Sequence, residues 1–522
     1  MADQDKRFGL LRSIFWPVHR SEAKKVLSMV LLLFLLCICY SMLRNLKDTI
    51  ILTAKHSGAE VIPFIKVWGI LPASFLGAWI FTRLRRYFSK ENVFYILISG
   101  FVTYFLLFAF VIYPQAEALH LDRLADWLSS TLPKGFQGFI ALIRNWTFTS
   151  FYIISELWSV LVLFLLYWGF ANDVTKVHEA KRTYGIMHIG SNIAPIVGGS
   201  LALMFSNTVH LPGLSSSSDE WGQTIARLIL LISFLAISAM VLYYWMNRRI
   251  LPKEEPLVEQ TESLPKEKRR LSIRESIRYI ARSKYLIPLA IIVLGYNISI
   301  NLTDVLWKEQ LRRFFVDPKL MLEHMNMITI GIGIFATIGG FLFSLMVTRL
   351  GWTFPAILTP FIMTSMAIGF FTFLFCGDIL SSFSAVLFGV TPMAMTVYFG
   401  SIQNGFSKAC KYSVFDASKE LAFLPLSAES KLKGKAAIDG LGSGLGKSGS
   451  SLTYQCLIIV SGSVALSTPY IAGVLFVVLI AWIIAVFSLG KQFNQLTATV
   501  PSAVDEEPRL SSEVAENGSQ AT

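Results

Sequence analysis

Residues 27–53 constrain this chain more than any other stretch. They run Leu27-Ser-Met-Val-Leu-Leu-Leu-Phe-Leu-Leu-Cys-Ile-Cys-Tyr40, continue through Leu43-Arg44-Asn45-Leu46-Lys47-Asp48-Thr49, and turn apolar again at Ile50, Ile51 and Leu52. The first part is a hydrocarbon-spanning helix, and a simple membrane anchor would end at Arg44. Here three ionisable side chains sit inside one helical run, each costing roughly 2.5–3.5 kcal/mol at mid-membrane on insertion scales. Arg44, Lys47 and Asp48 are spaced i, i+3 and i+4, so they share a face and partly neutralise one another. Snorkelling of a cation to the headgroups is the bland account. A polar face looking into a water-filled cavity is the account we favour.

The remaining sequence fits a polytopic membrane protein. Charged residues make up 15% of the 522, and mean hydropathy is +0.56, against about 25% charged in soluble domains. The formal net charge of +12 therefore reads as basic loops that orient a membrane protein rather than as a nucleic-acid surface. Five cysteines without a CxxC pair indicate neither a disulfide framework nor a zinc site, and no cofactor or metal is expected. Acids at Asp3 and Asp5, with no small-residue cleavage site ahead of the first apolar run, argue against signal and transit peptides.

The expected fold is all-α, with twelve transmembrane helices in two six-helix halves. Residues 1–25 form a polar, basic N-terminal segment, and 26–247 the first half, with spans at 27–53, 62–82, 93–113, 144–171, 185–205 and 225–246. Residues 115–137 read as an amphipathic loop. Residues 248–284 are rich in Lys, Arg and Glu and hold three prolines; they read as a linker plus a basic amphipathic helix. The second half, 285–489, carries spans at 286–306, 327–347, 353–376, 379–401, 440–465 and 469–489, with a semi-polar segment at 403–436. The acidic, Ser-rich tail, 490–522, is expected to be disordered. Basic loops alternate with loops poor in Lys and Arg, which places both termini in the cytoplasm; loop 7–8, with Lys308, Arg312, Arg313 and Lys319, breaks the pattern. This layout is major-facilitator-like, with a binding site at the membrane midplane between the halves. A short echo supports it: Asn45-Leu46-Lys47-Asp48 closes the first span, and Asn301-Leu302-Thr303-Asp304 closes the first span of the second half.

Other charges fall within apolar runs. Glu156 lies more than two turns inside the fourth span and reads as a cavity carboxylate, a proton carrier or a protonated core carboxyl. Asp304 reads as a cavity acid or an interfacial one. Lys447 lies in Gly440-Leu-Gly-Ser-Gly-Leu-Gly446-Lys447-Ser448-Gly449, where exposed N–H groups beside a lysine can cradle phosphate. It is not a Walker A loop: Leu441 occupies the position of the first glycine, and no strand precedes it. The candidate cavity cations are Arg44, Lys47, Lys66, Arg144 and Lys447, against Asp48, Glu156 and Asp304. Excess positive charge in a low-dielectric cleft suits a phosphorylated organic anion. Tyr40, Tyr152, Trp158 and Tyr296 are candidates to stack a base.

Several ordered motifs resemble the plastid and intracellular-bacterial ATP/ADP translocase (nucleotide transporter) family. They are Lys47-Asp-Thr49, Gly58-Ala-Glu-Val-Ile-Pro-Phe-Ile-Lys66, Ser155-Glu-Leu-Trp158 and Trp168-Gly-Phe-Ala-Asn172 in the first half. Glu179-Ala-Lys-Arg182, Phe415-Asp-Ala-Ser-Lys-Glu420, Gly434-Lys-Ala-Ala-Ile-Asp439 and Gly446-Lys-Ser-Gly449 follow. The resemblance implies a carrier, not an enzyme, that imports host nucleotides in exchange for ADP or another nucleotide by alternating access. It implies the membrane of an intracellular bacterium or a plastid, with the missing transit features favouring the bacterial inner membrane, nucleotides and lipids as the partners, and a monomer. Proton-coupled, one-way nucleotide import is the alternative it leaves open. It places transport residues at Lys47, Glu156, Asp304 and Lys447. The chain departs from the family pattern in two places: Asp304 stands where Glu is usual, and Asn45 follows Arg44 where an Asp is usual.

Overall fold

The computed structural model describes residues 18–175, 177–207, 219–251, 273–441 and 449–498. Among these the chain is helical, with no strand. Ten helices are long and apolar enough to cross a membrane: Glu22–Leu52, Val61–Tyr87, Lys90–Ile112, Trp146–Val174, Thr183–Asn207, Glu220–Ile250, Leu286–Phe314, Pro318–Phe343, Thr353–Cys376 and Val464–Thr497. A pair bent by 71°, Ser381–Phe388 with Pro392–Ala422, makes an eleventh if it counts as one span. The shorter apolar helix Ser450–Ser461 occupies the position of the expected eleventh span, which was to start at 440. Taken in chain order, with the bent pair tenth and the short helix eleventh, these segments fill the twelve expected places, and we number the spans accordingly. They do so with one crossing shorter than a bilayer demands.

Several expected boundaries move. The eighth span starts at Pro318 and not 327, and the helix of the twelfth runs to Ala498, into the tail expected to be disordered. Two others share one physical reason. The seventh span runs to Phe314, eight residues beyond its expected end, and the eighth helix begins at Pro318, with Asp317 capping the amide of Lys319. Loop 7–8, which broke the alternation of charge, is thus three residues long. Lys308, Arg312 and Arg313 are helical, not loop, residues. Polar side chains do not end a membrane helix where neighbouring helices supply partners for them. The tenth span likewise continues past 401 through a π-helical turn, Lys411–Phe415, to Ala422. The loop expected at 115–137 contains an amphipathic helix, Asp122–Thr131, and the basic linker contains the helix Ile273–Ala281.

The first half packs a core around the first helix, in which Leu32, Leu36, Leu43 and Leu46 meet Phe105, Phe151, Trp158 and Ile232. The second half packs around the seventh, tenth and twelfth helices through Leu289, Leu302, Trp307, Val397 and Trp482. Large side chains such as Phe75, Phe164, Phe234, Val386 and Ile484 stay exposed, as expected of helix faces turned to lipid.

The two halves touch most closely where the fifth helix crosses the eighth. Reciprocal glycines allow this approach. A Cβ on Gly199 would lie 2.7 Å from Cγ1 of Ile330 and 2.9 Å from the carbonyl oxygen of Asn326; a Cβ on Gly333 would lie 2.5 Å from Cγ1 of Ile196. Small residues at such crossings replace the hydrophobic drive that lipid cannot supply. Gly333→Val is therefore expected to force the helices apart at a cost of roughly 1–3 kcal/mol. A lowered melting temperature of the purified protein checks it.

Candidate functional site

A cavity of about 400 Å³ lies between the halves, and five helices wall it. The first helix supplies Tyr40, Arg44, Lys47 and Asp48, one face of three consecutive turns. Lys66 comes from the second span, and Tyr152 and Glu156 from the fourth. The seventh contributes Tyr296, Asn297, Asn301, Asp304 and Lys308, and the tenth Lys408, Lys411 and Tyr412. Lys66 and Lys411 each lie within a π-helical turn, at Ile65–Ile70 and Lys411–Phe415, and the fourth helix becomes π-helical at Trp158, directly after Glu156. The extra residue of a π turn re-aims the side chains that follow, and such turns are frequent at functional sites.

The charged groups form one ladder across the molecule. The Glu156 carboxylate lies 3.3 Å from the Lys47 ammonium, which is 3.1 Å from Asp48. Asp48 lies 2.8 Å from Lys308, which is 2.8 Å from Asp304. Asp304 in turn lies 3.3 Å from Lys408 and accepts from the amide nitrogen of Asn404 at 2.9 Å. Lys47 also sits 3.6 Å over the ring of Tyr152. Lys47, Asp48 and Lys308 are all under 5% exposed, so each owes its tolerance in the fold to its neighbours in the ladder. Three cations in the cavity stand outside it. Lys66 donates to Asn301 at 2.9 Å, and among the described residues neither it nor Arg44 nor Lys411 has a carboxylate within ion-pair distance.

Access is one-sided. A vestibule of about 950 Å³ opens toward the face where the first helix begins, and it shares Lys411 and Tyr412 with the cavity. Toward the opposite face Thr49–Leu52, Ala59 and Val61–Ile65 are buried against Val305–Leu311. Hydrogen bonds across the halves reinforce this closure. Asn45 donates to Asn326 at 2.7 Å and to Thr329 at 2.9 Å, and Gln455 donates to the Pro63 carbonyl at 2.7 Å. The Ala59 amide donates to Glu309 at 3.3 Å.

Of the residues that the sequence singles out, Arg44, Lys47, Lys66, Glu156 and Asp304 meet in this cavity. Arg144 does not join them. It lies buried below the amphipathic helix, 2.8 Å from Asp122 and 2.5 Å from Asp126, and ties that helix to the bundle. Lys447 lies outside the described residues. Lys308, Lys408 and Lys411 are functional candidates that sequence reasoning missed, because it ended the seventh and tenth spans too early. Helical spacing could have revealed them: Lys308 follows Asp304 by four, and Asn404, Lys408 and Lys411 fall at i, i+4 and i+7.

This fold and site define a membrane transporter of the major-facilitator type, and structural comparison agrees on the fold. The chain superposes on the nucleoside transporter NupG with a TM-score of 0.55, at 12% identity, over 88% of this chain and 99% of that one. It superposes on a D-xylose-proton symporter with a TM-score of 0.51, at 12% identity, over 89% and 97%. Residues 1–493 match the family model described as TLC ATP/ADP transporter. ADP,ATP carrier protein 1 of Chlamydia muridarum is 40% identical over 497 residues, which covers 95% of this chain and 93% of that protein. The chloroplastic ADP,ATP carrier protein 1 of Arabidopsis thaliana is 38% identical over 92% of this chain and 75% of its own length. The chain belongs to the TLC ATP/ADP transporter family.

The placement of Arg144 makes a testable distinction. Arg144→Met is expected to lower the melting temperature, because the amphipathic helix loses its anchor, while leaving the KM for substrate unchanged. Lys47→Met is expected to impair transport itself, since it strips both Glu156 and Asp48 of a partner. Uptake kinetics beside thermal melts of the two variants check this.

Proposed function

We propose that the chain exchanges nucleoside phosphates, ATP against ADP, across a bacterial inner membrane by alternating access, with both termini and the open vestibule on the cytoplasmic side. One observation carries the reading: the cavity sets six cations against three carboxylates, and among the described residues Arg44, Lys66 and Lys411 are left without an acidic partner. A cluster of that kind, held away from bulk water, suits a polyphosphate, whose oxygens accept several charge-assisted hydrogen bonds. Tyr40, Tyr296 and Tyr412 border the same space and offer ring faces to a base. The family supports ATP and ADP as the pair carried.

Lys47 and the three unpaired cations hold phosphate, while Glu156, Asp48 and Asp304 keep the remaining lysines compensated. Exchange rather than one-way import follows from electrostatics. An empty cavity carries its excess charge through an occluded, low-dielectric state, and a bound nucleotide removes that penalty in both directions. One chain supplies every wall of the cavity, which fits a carrier that works as a monomer.

The test is uptake of labelled ATP into proteoliposomes. Uptake is expected to require ADP inside and to persist when a protonophore is added. Uptake into empty vesicles that collapses with the protonophore would overturn the exchange reading. Single changes Arg44→Gln, Lys66→Gln and Lys411→Gln each remove one charge-assisted contact, so each should raise the KM for nucleotide about tenfold or more. Measured KM values close to the parent's in all three would contradict the phosphate seat.

A further inference from the structure

The seventh helix holds a cation, Lys308, that has no counterpart at the corresponding place in the first half. Asn45-Leu46-Lys47-Asp48 and Asn301-Leu302-Thr303-Asp304 occupy corresponding places in the two halves, so Asp48 and Asp304 are counterparts. The structure brings both carboxylates to the same ammonium: Lys308 lies 2.8 Å from Asp48 across the interface and 2.8 Å from Asp304 on its own helix. Four residues after Asp48 the first half has Leu52, which is fully buried and apolar. The arrangement is therefore asymmetric, two matched acids around one cation that belongs to the second half.

We propose that Lys308 is a positioning residue of the transport cycle, an electrostatic latch that holds the face opposite the vestibule closed by lending its charge to Asp48. The pair lies beside the buried closure made by Ile50–Leu52 and Val305–Leu311. Opening that face separates the ends of the first and seventh helices, and Lys308 leaves with the seventh. Asp304 keeps it through their i,i+4 contact, whereas Asp48 loses it. Asp48 then depends on Lys47, 3.1 Å away, which it shares with Glu156. Release of the latch is thereby coupled to the charge balance of the lysine that the substrate site uses. The reverse step, recapture of Asp48 by Lys308, recloses the face.

This inference rests on the reading of the chain as an alternating-access carrier, but not on which substrate it carries. The experiment measures distances between spin labels at Arg123 and Val316 in the full chain, with the five native cysteines replaced and no nucleotide present. Both positions are exposed on the closed face, one in each half. The parent should show mainly the short separation. Lys308→Met leaves Asp48 and Asp304 confronting each other, and should shift the main population to the longer separation. Asp48→Asn removes the tie while Lys308 stays paired with Asp304, and should shift it the same way by less. The double variant, which removes both the cation and the acid it served, should lie closer to the parent than Lys308→Met does. A residue that merely stabilised the fold would lower the melting temperature without moving these populations. Parent-like distributions in Asp48→Asn and in any folded Lys308→Met protein would overturn the proposal. A double variant displaced as far as Lys308→Met would overturn it too. If ATP exchange fails while the shifts appear, the substrate assignment falls and the latch stands.

Discussion

Six charges, Glu156, Lys47, Asp48, Lys308, Asp304 and Lys408, alternate in sign along a line that crosses from the fourth helix to the tenth, the middle four buried and the two at its ends partly exposed. None of them could stand in the middle of a membrane alone. Removing one member of a buried pair typically costs about 3–5 kcal/mol, because its partner is left uncompensated. The ladder therefore constrains the fold more tightly than its net contribution to stability would indicate. It fixes which helices face one another, and it does so at the junction of the two halves. Apolar packing, which also crosses between the halves, specifies that junction less sharply, since lipid competes for an apolar face.

The same ladder explains how a cavity rich in cations persists without a ligand. Three lysines are consumed by three carboxylates, and the surplus falls on Arg44, Lys66 and Lys411, which ring the space that opens into the vestibule. Structure and selectivity are thus separated among residues of the same type. Paired lysines hold helices in register, and unpaired cations are free to meet an anion. Substrate phosphate is the natural complement to the second set. On the proposed reading its arrival neutralises the surplus and, of the first set, engages only Lys47, which lines the same cavity. The glycine-lined crossing of the fifth and eighth helices, where Ile330 packs at Gly199 and Ile196 at Gly333, brings the two halves close at a contact about which they can rock.

Much of this was legible in the chain itself. The charges inside the first span announced a cavity, since nothing else repays them at that depth, and the echo of Asn-Leu-x-Asp identified residues that the structure brings onto one ammonium. What the sequence concealed is equally instructive. Lys308 read as a loop residue because the apolar run weakens after Leu306, and hydropathy cannot see that a helix goes on when another helix supplies the partner. Lys408 and Lys411 were lost the same way at the end of the tenth span. Arg144 looked like a cavity cation because it opens an apolar run. Its partners, Asp122 and Asp126, lie on the helix Asp122–Thr131, in a segment that reads from sequence as an amphipathic loop. In each case the missing information was a contact between distant helices.

The most direct test of the account is calorimetric binding of adenosine, AMP, ADP and ATP to the purified protein at one low ionic strength. The account predicts that affinity climbs with the number of phosphates and that adenosine binds weakly, because the unpaired cations, not the aromatic rings, supply most of the attraction. Adenosine binding as tightly as ADP would contradict it.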